Sequence, residues 1–199
     1  MVDIQKEIEK KFPNMNKKEN FLKKSLFKIA KKIVHEDSIN QFLSQNAHLK
    51  GFEFVDAALD YFDFDYAISS NDLQNIPTSG KVVIIANHPL GGLDALCLLR
   101  LIGQIRKDVK IIANDFLAGF EALNSLIITI DNYKQKQSKS DIKKIYEALK
   151  NEEAVIIFPA GEVSRATAKG IKDPAWNKGF LNFAQNTNAP ILPIFLDAK

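Results

Sequence analysis

The stretch Val82-Val83-Ile84-Ile85-Ala86-Asn87-His88-Pro89-Leu90-Gly91-Gly92-Leu93-Asp94 decides the fold. Its first five residues are apolar without alternation, and four of them are β-branched, the pattern of a strand covered on both faces. Pro89 and the two glycines then punctuate the chain, and residues 93–102 resume at helical spacing. Outward from this unit the same alternation repeats. Strands are expected at Val109–Ala113, 126–130, 155–158 and 191–196, with helices at 115–123, 140–149 and 178–185 between them. Apolar strands separated by helices predict an α/β fold, a mainly parallel central sheet flanked by helices. One more short strand is expected at 66–69, before a polar loop that ends at Pro77 and Gly80.

Residues 1–62 read instead as a helical N-terminal region, leaving 63–199 as the α/β domain. Phe21, Leu22, Leu26, Ile29, Ala30 and Ile33 fall on one helical face with lysines on the other. Asn16 and Glu19 fit a capping box at the start of that helix. Further helices are expected at 38–45 and after Gly51, the latter carrying Phe54, Ala57, Ala58 and Tyr61. Residues 1–34 hold ten lysines and four acids, a local charge of +6 in a chain whose net charge is +3, so the remainder carries −3. A segment this basic suits an anionic membrane surface. The alternative is an apolar stripe that packs on the core while its lysines are solvated.

Composition narrows the function classes. The chain has 199 residues, 46% of them hydrophobic and 26% charged, enough for a sizeable core. No run approaches the roughly 20 apolar residues of a membrane-spanning helix, and the N-terminus has no secretory pattern. The single cysteine, Cys97, allows no internal disulfide and fits a reducing cytoplasm. No nucleic-acid recognition motif is present, and the body of the chain is slightly acidic. A soluble or peripherally attached intracellular protein is expected.

Residues capable of chemistry gather just beyond two of the strands. His88 follows Val82–Ala86 directly, at the sheet rim where ligands collect in such folds. The glycine turn starts the next helix close by, so Asp94 in its first turn can accept a hydrogen bond from one imidazole nitrogen. That fixes the tautomer and leaves the other nitrogen to act as a base. The pair is the base-and-orienter half of a Ser-His-Asp triad without a protein nucleophile. A substrate hydroxyl or amine is then the group activated. The plainer alternative has His88 satisfying a loop carbonyl and Asp94 capping the helix. Strand-end position, glycine turn and short spacing together favour the functional reading.

The second gathering is Phe158-Pro159-Ala160-Gly161-Glu162-Val163-Ser164-Arg165. Backbone N–H groups around Gly161 can face an anion. Arg165 is one of three arginines, with Arg100 and Arg106, and a guanidinium grips phosphate or carboxylate bidentately. A solvated loop with a surface Glu162–Arg165 pair is the plainer reading. Cys97, three residues after Asp94, reads as a small buried apolar residue rather than a nucleophile. Trp176 either packs over the loop or touches ligand. A metal hydrolase using His88 and Asp94 as ligands is a weaker alternative, because His35 and His48 read as surface or packing residues.

These segments resemble blocks of the glycerolipid acyltransferase superfamily, which includes the lysophosphatidic acid acyltransferases. Asn87, His88 and Asp94 match its first block, and Asn87 to Asp94 is most similar to the hemolysin-like, ornithine-lipid branch, with five residues between His and Asp. Phe158 to Arg165 resembles that branch's form of the Phe-Pro-Glu-Gly-Thr-Arg block. Ile128 to Asn132 stands where the family has Phe-Ile-Asp-Arg. Ala189 to Ile194 resembles its closing strand, and Lys178-Gly179-Phe180 fits the segment before it. Ala160, Glu162 and Asn132 depart from residues that bind the acceptor phosphate in the family, and the arginine comes two positions late.

The resemblance implies a glycerol-phosphate acyltransferase-like fold and acyl transfer from acyl-CoA or acyl carrier protein to a lysolipid hydroxyl. The departures turn the expectation from lysophosphatidic acid toward a lyso-aminolipid or another lysolipid. Catalytic roles fall to His88 and Asp94. Substrate contacts fall to Asn87, Gly91, Gly92, Phe158, Pro159, Gly161, Glu162, Ser164 and Arg165, with backbone N–H groups near Gly91 and Gly161 as candidates for an oxyanion site. No metal or redox cofactor is implied. The expected place is peripheral, on the inner face of the cell membrane. Family members continue past the last strand with more helix, so a C-terminally shortened catalytic domain is expected. A non-catalytic lipid-binding module is the alternative from a different class.

Overall fold

The computed structural model describes residues 36–113, 117, 119–130, 138–167 and 170–197. The amphipathic segment expected within 16–34, His35, and Asp131 and Asn132 of the second block lie outside them. Contacts divide the chain after Leu49 into two units. The first contributes one described helix, α1 (Glu36–Gln45).

The second unit opens with α2 (Gly51–Tyr61) and a single turn, α3 (Ser70–Leu73). Strands and helices then follow in the order expected: β1 (Val82–Ala86), α4 (Gly92–Ile105), β2 (Val109–Ala113), a 3-10 turn (Glu121–Leu123), β3 (Ile127–Thr129), α5 (Lys139–Lys150) and β4 (Ala154–Ile157). A hairpin of β5 (Arg165–Thr167) and β6 (Gly170–Lys172) leads to α6 (Gly179–Thr187) and β7 (Ile191–Ile194). The five long-range strands form one sheet in the order β3-β2-β4-β1-β7. Every pairing in it is parallel, with Val83 set against both Val155 and Ile191. All five residues of β1 are buried, as their unbroken apolar run requires.

Alternation along the strands divides the core. Val83, Ile85, Val155, Ile157 and Ile128 share a cluster with Ile145, Ala148 and Leu149 of α5 and Ala184 of α6. Val82, Ile84 and Ile156 point the other way, toward the face along which α4 runs with α2 packed on it. The helix Gly51–Tyr61, grouped with the N-terminal region in the sequence reading, therefore belongs with the sheet. Arg100 fastens α4 to α2, donating to Asp56 Oδ1 at 2.9 Å and to the Asp56 carbonyl at 2.7 Å.

Two local expectations are corrected. Residues 66–69 form no strand: the Ser69 hydroxyl accepts from the Asp72 N–H at 3.1 Å and starts α3, a helix-capping pattern that outweighs the β-branched Ile68. The hairpin β5–β6 was not expected, because Arg165 to Lys172 offers no run of alternating apolar residues. Gly170, the first residue of β6, has φ +101°.

Arg106 holds the amino-terminal end of the sheet. Its side chain is almost fully buried and reaches the carbonyls of Gly80 (2.7 Å) and Glu152 (2.9 Å) and both oxygens of Asp108 (2.7 Å each). Removing the guanidinium takes away the donor shared by the Gly80 and Glu152 carbonyls and the partly exposed Asp108 carboxylate, so Arg106→Met should lower the unfolding free energy by about 1–3 kcal/mol, read from urea denaturation. Arg106 also holds the Asp108 carboxyl below its ordinary value of 3.8. A lowered carboxylate adds stability that is complete above its unfolded-state value and lost as pH falls through the folded one. Part of the loss on acidification below about pH 4 should therefore vanish in Arg106→Met.

Candidate active site

β1 lies between β4 and β7, so three carboxyl-terminal ends stand side by side. The chain leaves β1 toward β2 by way of α4, and leaves β4 in the opposite direction toward β7 by way of α6. The helices that follow them lie on opposite faces of the sheet, α6 against the cluster that holds Val83 and Val155 and α4 on the other face. Neighbouring strands that exit to opposite faces open a crevice at their carboxyl ends. His88 and Phe158 meet across it, their rings stacked with centroids 3.8 Å apart and planes 19° from parallel.

The β1–α4 turn builds the first half of the site. Gly91 has φ +72° and ψ −127°, a conformation essentially closed to residues with a Cβ, and a Cβ there would stand 3.2 Å from Val163. This turn brings the first turn of α4 back over His88. Asp94 is buried, and its Oδ2 lies 3.1 Å from His88 Nδ1 while accepting the N–H groups of Leu90 (2.8 Å) and Gly91 (3.0 Å). A carboxylate only accepts, so Nδ1 carries the proton in this pairing and Nε2 carries the lone pair. The contacts required by the two readings of Asp94, helix cap and histidine orienter, are made by the same atom.

The β4 loop and the segment after the hairpin build the second half. The Ser164 N–H donates to the His88 carbonyl at 2.8 Å, and the His88 N–H donates to Asp173 Oδ1 at 3.2 Å. Asp173 also accepts the Ser164 hydroxyl and, through Oδ2, the Trp176 indole N–H at 2.8 Å. The Asn177 N–H reaches the Pro159 carbonyl at 2.9 Å. Asn87 ties β1 to the end of β7, its side chain donating to the Leu196 carbonyl (2.8 Å) and accepting the Leu196 N–H (2.7 Å). Beside His88 a cleft of about 460 Å³ is lined by Asn87, Pro89, Ser164, Asp173, Trp176, Phe195, Leu196 and Asp197. Two carboxylates line it, and among the described residues no lysine or arginine does.

The structure thus brings together His88, Asp94, Phe158, Ser164 and Asn87 from the sequence expectation. It places Glu162 and Arg165 apart from the cleft, paired with each other by Arg165 Nη2 at 2.8 Å from both Glu162 oxygens and exposed. That is the plainer of their two readings. The N–H groups of Gly91 and Gly161 are engaged within their own turns, the latter with the Phe158 carbonyl at 3.0 Å. Neither is aimed at an incoming carbonyl in this arrangement. Asp173 was missed. A single aspartate before a proline resembles any turn, and its only cue was the nearby lone tryptophan, left undecided between packing and ligand contact. Trp176 bonds Asp173 and lines the cleft.

An imidazole oriented through one nitrogen is the arrangement that a general base requires. The model of the family described as Acyltransferase matches residues 7–199, and the chain belongs to that family. It is 30% identical over its full length to the lyso-glycine lipid O-acyltransferase of Phocaeicola vulgatus, covering 70% of that protein. It is equally 30% identical over its full length to the lyso-glycine lipid O-acyltransferase of Bacteroides thetaiotaomicron, covering 71% of it. No solved structure matches the chain.

Cys97 lies on α4 one turn from Asp94 but takes no part. Burial pushes its thiol up to about 11, and the Asp94 charge pushes in the same direction. Such a thiol stays protonated near neutral pH and is a poor nucleophile. Alkylation by iodoacetamide should be many-fold slower in the native protein than in urea, and Cys97→Ala should keep the transfer rate; fast native labelling would contradict the assignment.

Proposed function

We propose that the chain moves a fatty acyl group from an acyl-CoA or acyl carrier protein thioester to the hydroxyl of a lyso-aminolipid, at the inner face of the cell membrane. The observation that carries this reading is the 3.1 Å contact between His88 Nδ1 and Asp94 Oδ2, which fixes the imidazole at the crevice. His88 Nε2 takes the proton as the acceptor oxygen attacks the thioester carbonyl. The C–O bond forms, the tetrahedral intermediate collapses with loss of the C–S bond, and the imidazolium returns the proton to the departing thiolate. Asp94 keeps the ring in the productive tautomer and offsets the imidazolium charge.

The acceptor class rests on the names of the two relatives and on the cleft. A space lined by the Asp173 carboxylate, with no lysine or arginine in its lining among the described residues, is a poor seat for a phosphate dianion. An N-acyl amino acid such as a lyso-glycine lipid carries a single carboxylate charge in place of the dianion and adds an amide N–H donor. This agrees with Ala160, Glu162 and Asn132 standing where phosphate-binding residues stand in phosphate-directed members of the superfamily. Among the described residues no helix is long and apolar enough to cross a membrane, and the ten lysines of residues 1–34 supply the attraction to anionic lipid. Deleting those residues should weaken binding to anionic vesicles in a flotation assay; unchanged flotation would remove the anchor.

The enzymatic test incubates the protein with labelled long-chain acyl-CoA or acyl carrier protein and lyso-glycine lipid, lyso-ornithine lipid or lysophosphatidic acid. A diacyl product is expected with a lyso-aminolipid. It should fall by at least about 10²-fold in His88→Ala and by a comparable factor in Asp94→Asn. Binding of lysolipid with no product from any pair would point to a lipid-binding module instead.

A further inference from the structure

We infer that Asp173 is a positioning residue for the transfer reaction, holding the base through its main chain, and that Trp176 connects this hold to the occupant of the cleft. The inference rests on the reading of His88 as the base. Asp94 fixes the ring by one nitrogen, yet a ring held at one point still moves with its own Cα. What fixes that Cα is a second set of contacts. Asp173 Oδ1 accepts the His88 N–H at 3.2 Å, and the Ser164 N–H donates to the His88 carbonyl at 2.8 Å. Both peptide groups of the base are therefore bonded to other loops, one after β4 and one after the hairpin.

Asp173 closes this arrangement on itself. The same Oδ1 accepts the Ser164 hydroxyl, so the residue that grips the His88 carbonyl is itself gripped by the residue that grips the His88 N–H. The other oxygen accepts the indole N–H of Trp176 at 2.8 Å. Trp176 is 41% exposed and lines the cleft beside Asp173 and Ser164. A ligand lying against the indole presses on a side chain one hydrogen bond from the carboxylate and two from the base. Displacements of about 1 Å in a positioned catalytic group cost on the order of 10²-fold in rate, so loss of this hold is read in turnover rather than in substrate affinity.

Trp176 is the single tryptophan of the chain, which gives the hold a signal independent of activity. Asp173→Ala, Asp173→Asn, Trp176→Phe and His88→Ala are compared in the full chain by acyl transfer, tryptophan emission and the folded fraction from circular dichroism. Asp173→Ala should lower kcat per folded site by about 10²-fold, with KM for the donor moving by less than about threefold. Asp173→Asn, which keeps a carbonyl acceptor for the His88 N–H, should restore most of that loss, and Trp176→Phe should give a smaller fall. The emission of Asp173→Ala should shift to the red as the indole N–H loses its partner, while His88→Ala, which keeps its peptide N–H, should not shift. A kcat within about threefold of wild type in Asp173→Ala, or a loss equal to the unfolded fraction, overturns the inference while the base reading stands. Transfer that survives His88→Ala overturns the base reading and this role for Asp173 with it, and an unshifted emission in Asp173→Ala overturns the hold whatever the activity.

Discussion

One oxygen atom, Asp94 Oδ2, carries the constraint on which the site depends. The turn from β1 into α4 is too tight to pair its own amides, and the carboxylate at the third helical position accepts two of them, from Leu90 and Gly91. Closing the turn in that way places the same oxygen against His88 Nδ1. The groups that give the helix its start thus also give the histidine its tautomer. Because Asp94 is buried, its charge is compensated among the described residues by these donors, and opening the loop would expose amides that Asp94 now pairs.

How much of this could be read beforehand depends on the range of each interaction. β1 and β2 were legible to the residue, because an apolar β-branched run bounded by turn residues has one economical reading. The longer helices were legible to within a few residues, whereas in the helix expected at 115–123 residues 119–120 are not helical and Glu121–Leu123 form a 3-10 turn. His88 was legible as the partner of Asp94, since six residues and two glycines leave little freedom between them. The order of strands was not legible: nothing in Ala154–Ile157 says that it enters between β2 and β1. Asp173 escaped for the same reason. Its partners, His88 and Ser164, become neighbours only once β4 lies beside β1, a contact that no local pattern encodes. Glu162 and Arg165 erred in the other direction, because an acid and a base three residues apart satisfy each other before either meets a ligand.

The arginines show how charge is divided in this fold. Arg106 is spent on carbonyls and Asp108 at the amino-terminal end of the sheet, and Arg100 joins two helices through Asp56. Arg165 is the one nearest the cleft, and it is matched by Glu162. The carboxyl-terminal end therefore presents carboxylates, amides and apolar surface, with Leu90, Val163, Trp176 and Phe195 all exposed there. Such a rim suits a substrate that is mostly hydrocarbon with a small polar head, while the basic character of the chain is concentrated far upstream in the sequence.

The strand order also dictates a schedule for assembly. β1 is made early, yet its hydrogen bonds need β4 on one side and β7 on the other, and Asn87 waits for Leu196, a partner 109 residues further along the chain. Pairings of such separation form slowly because a long loop must close before any of them contributes. On the ribosome, a nascent chain that has reached α4 holds its histidine on an unpaired strand end, with neither Phe158 beneath the ring nor Ser164 and Asp173 around its peptide groups. The contacts around Asn87 and His88 are thereby deferred until β7 and the segment after it have been delivered.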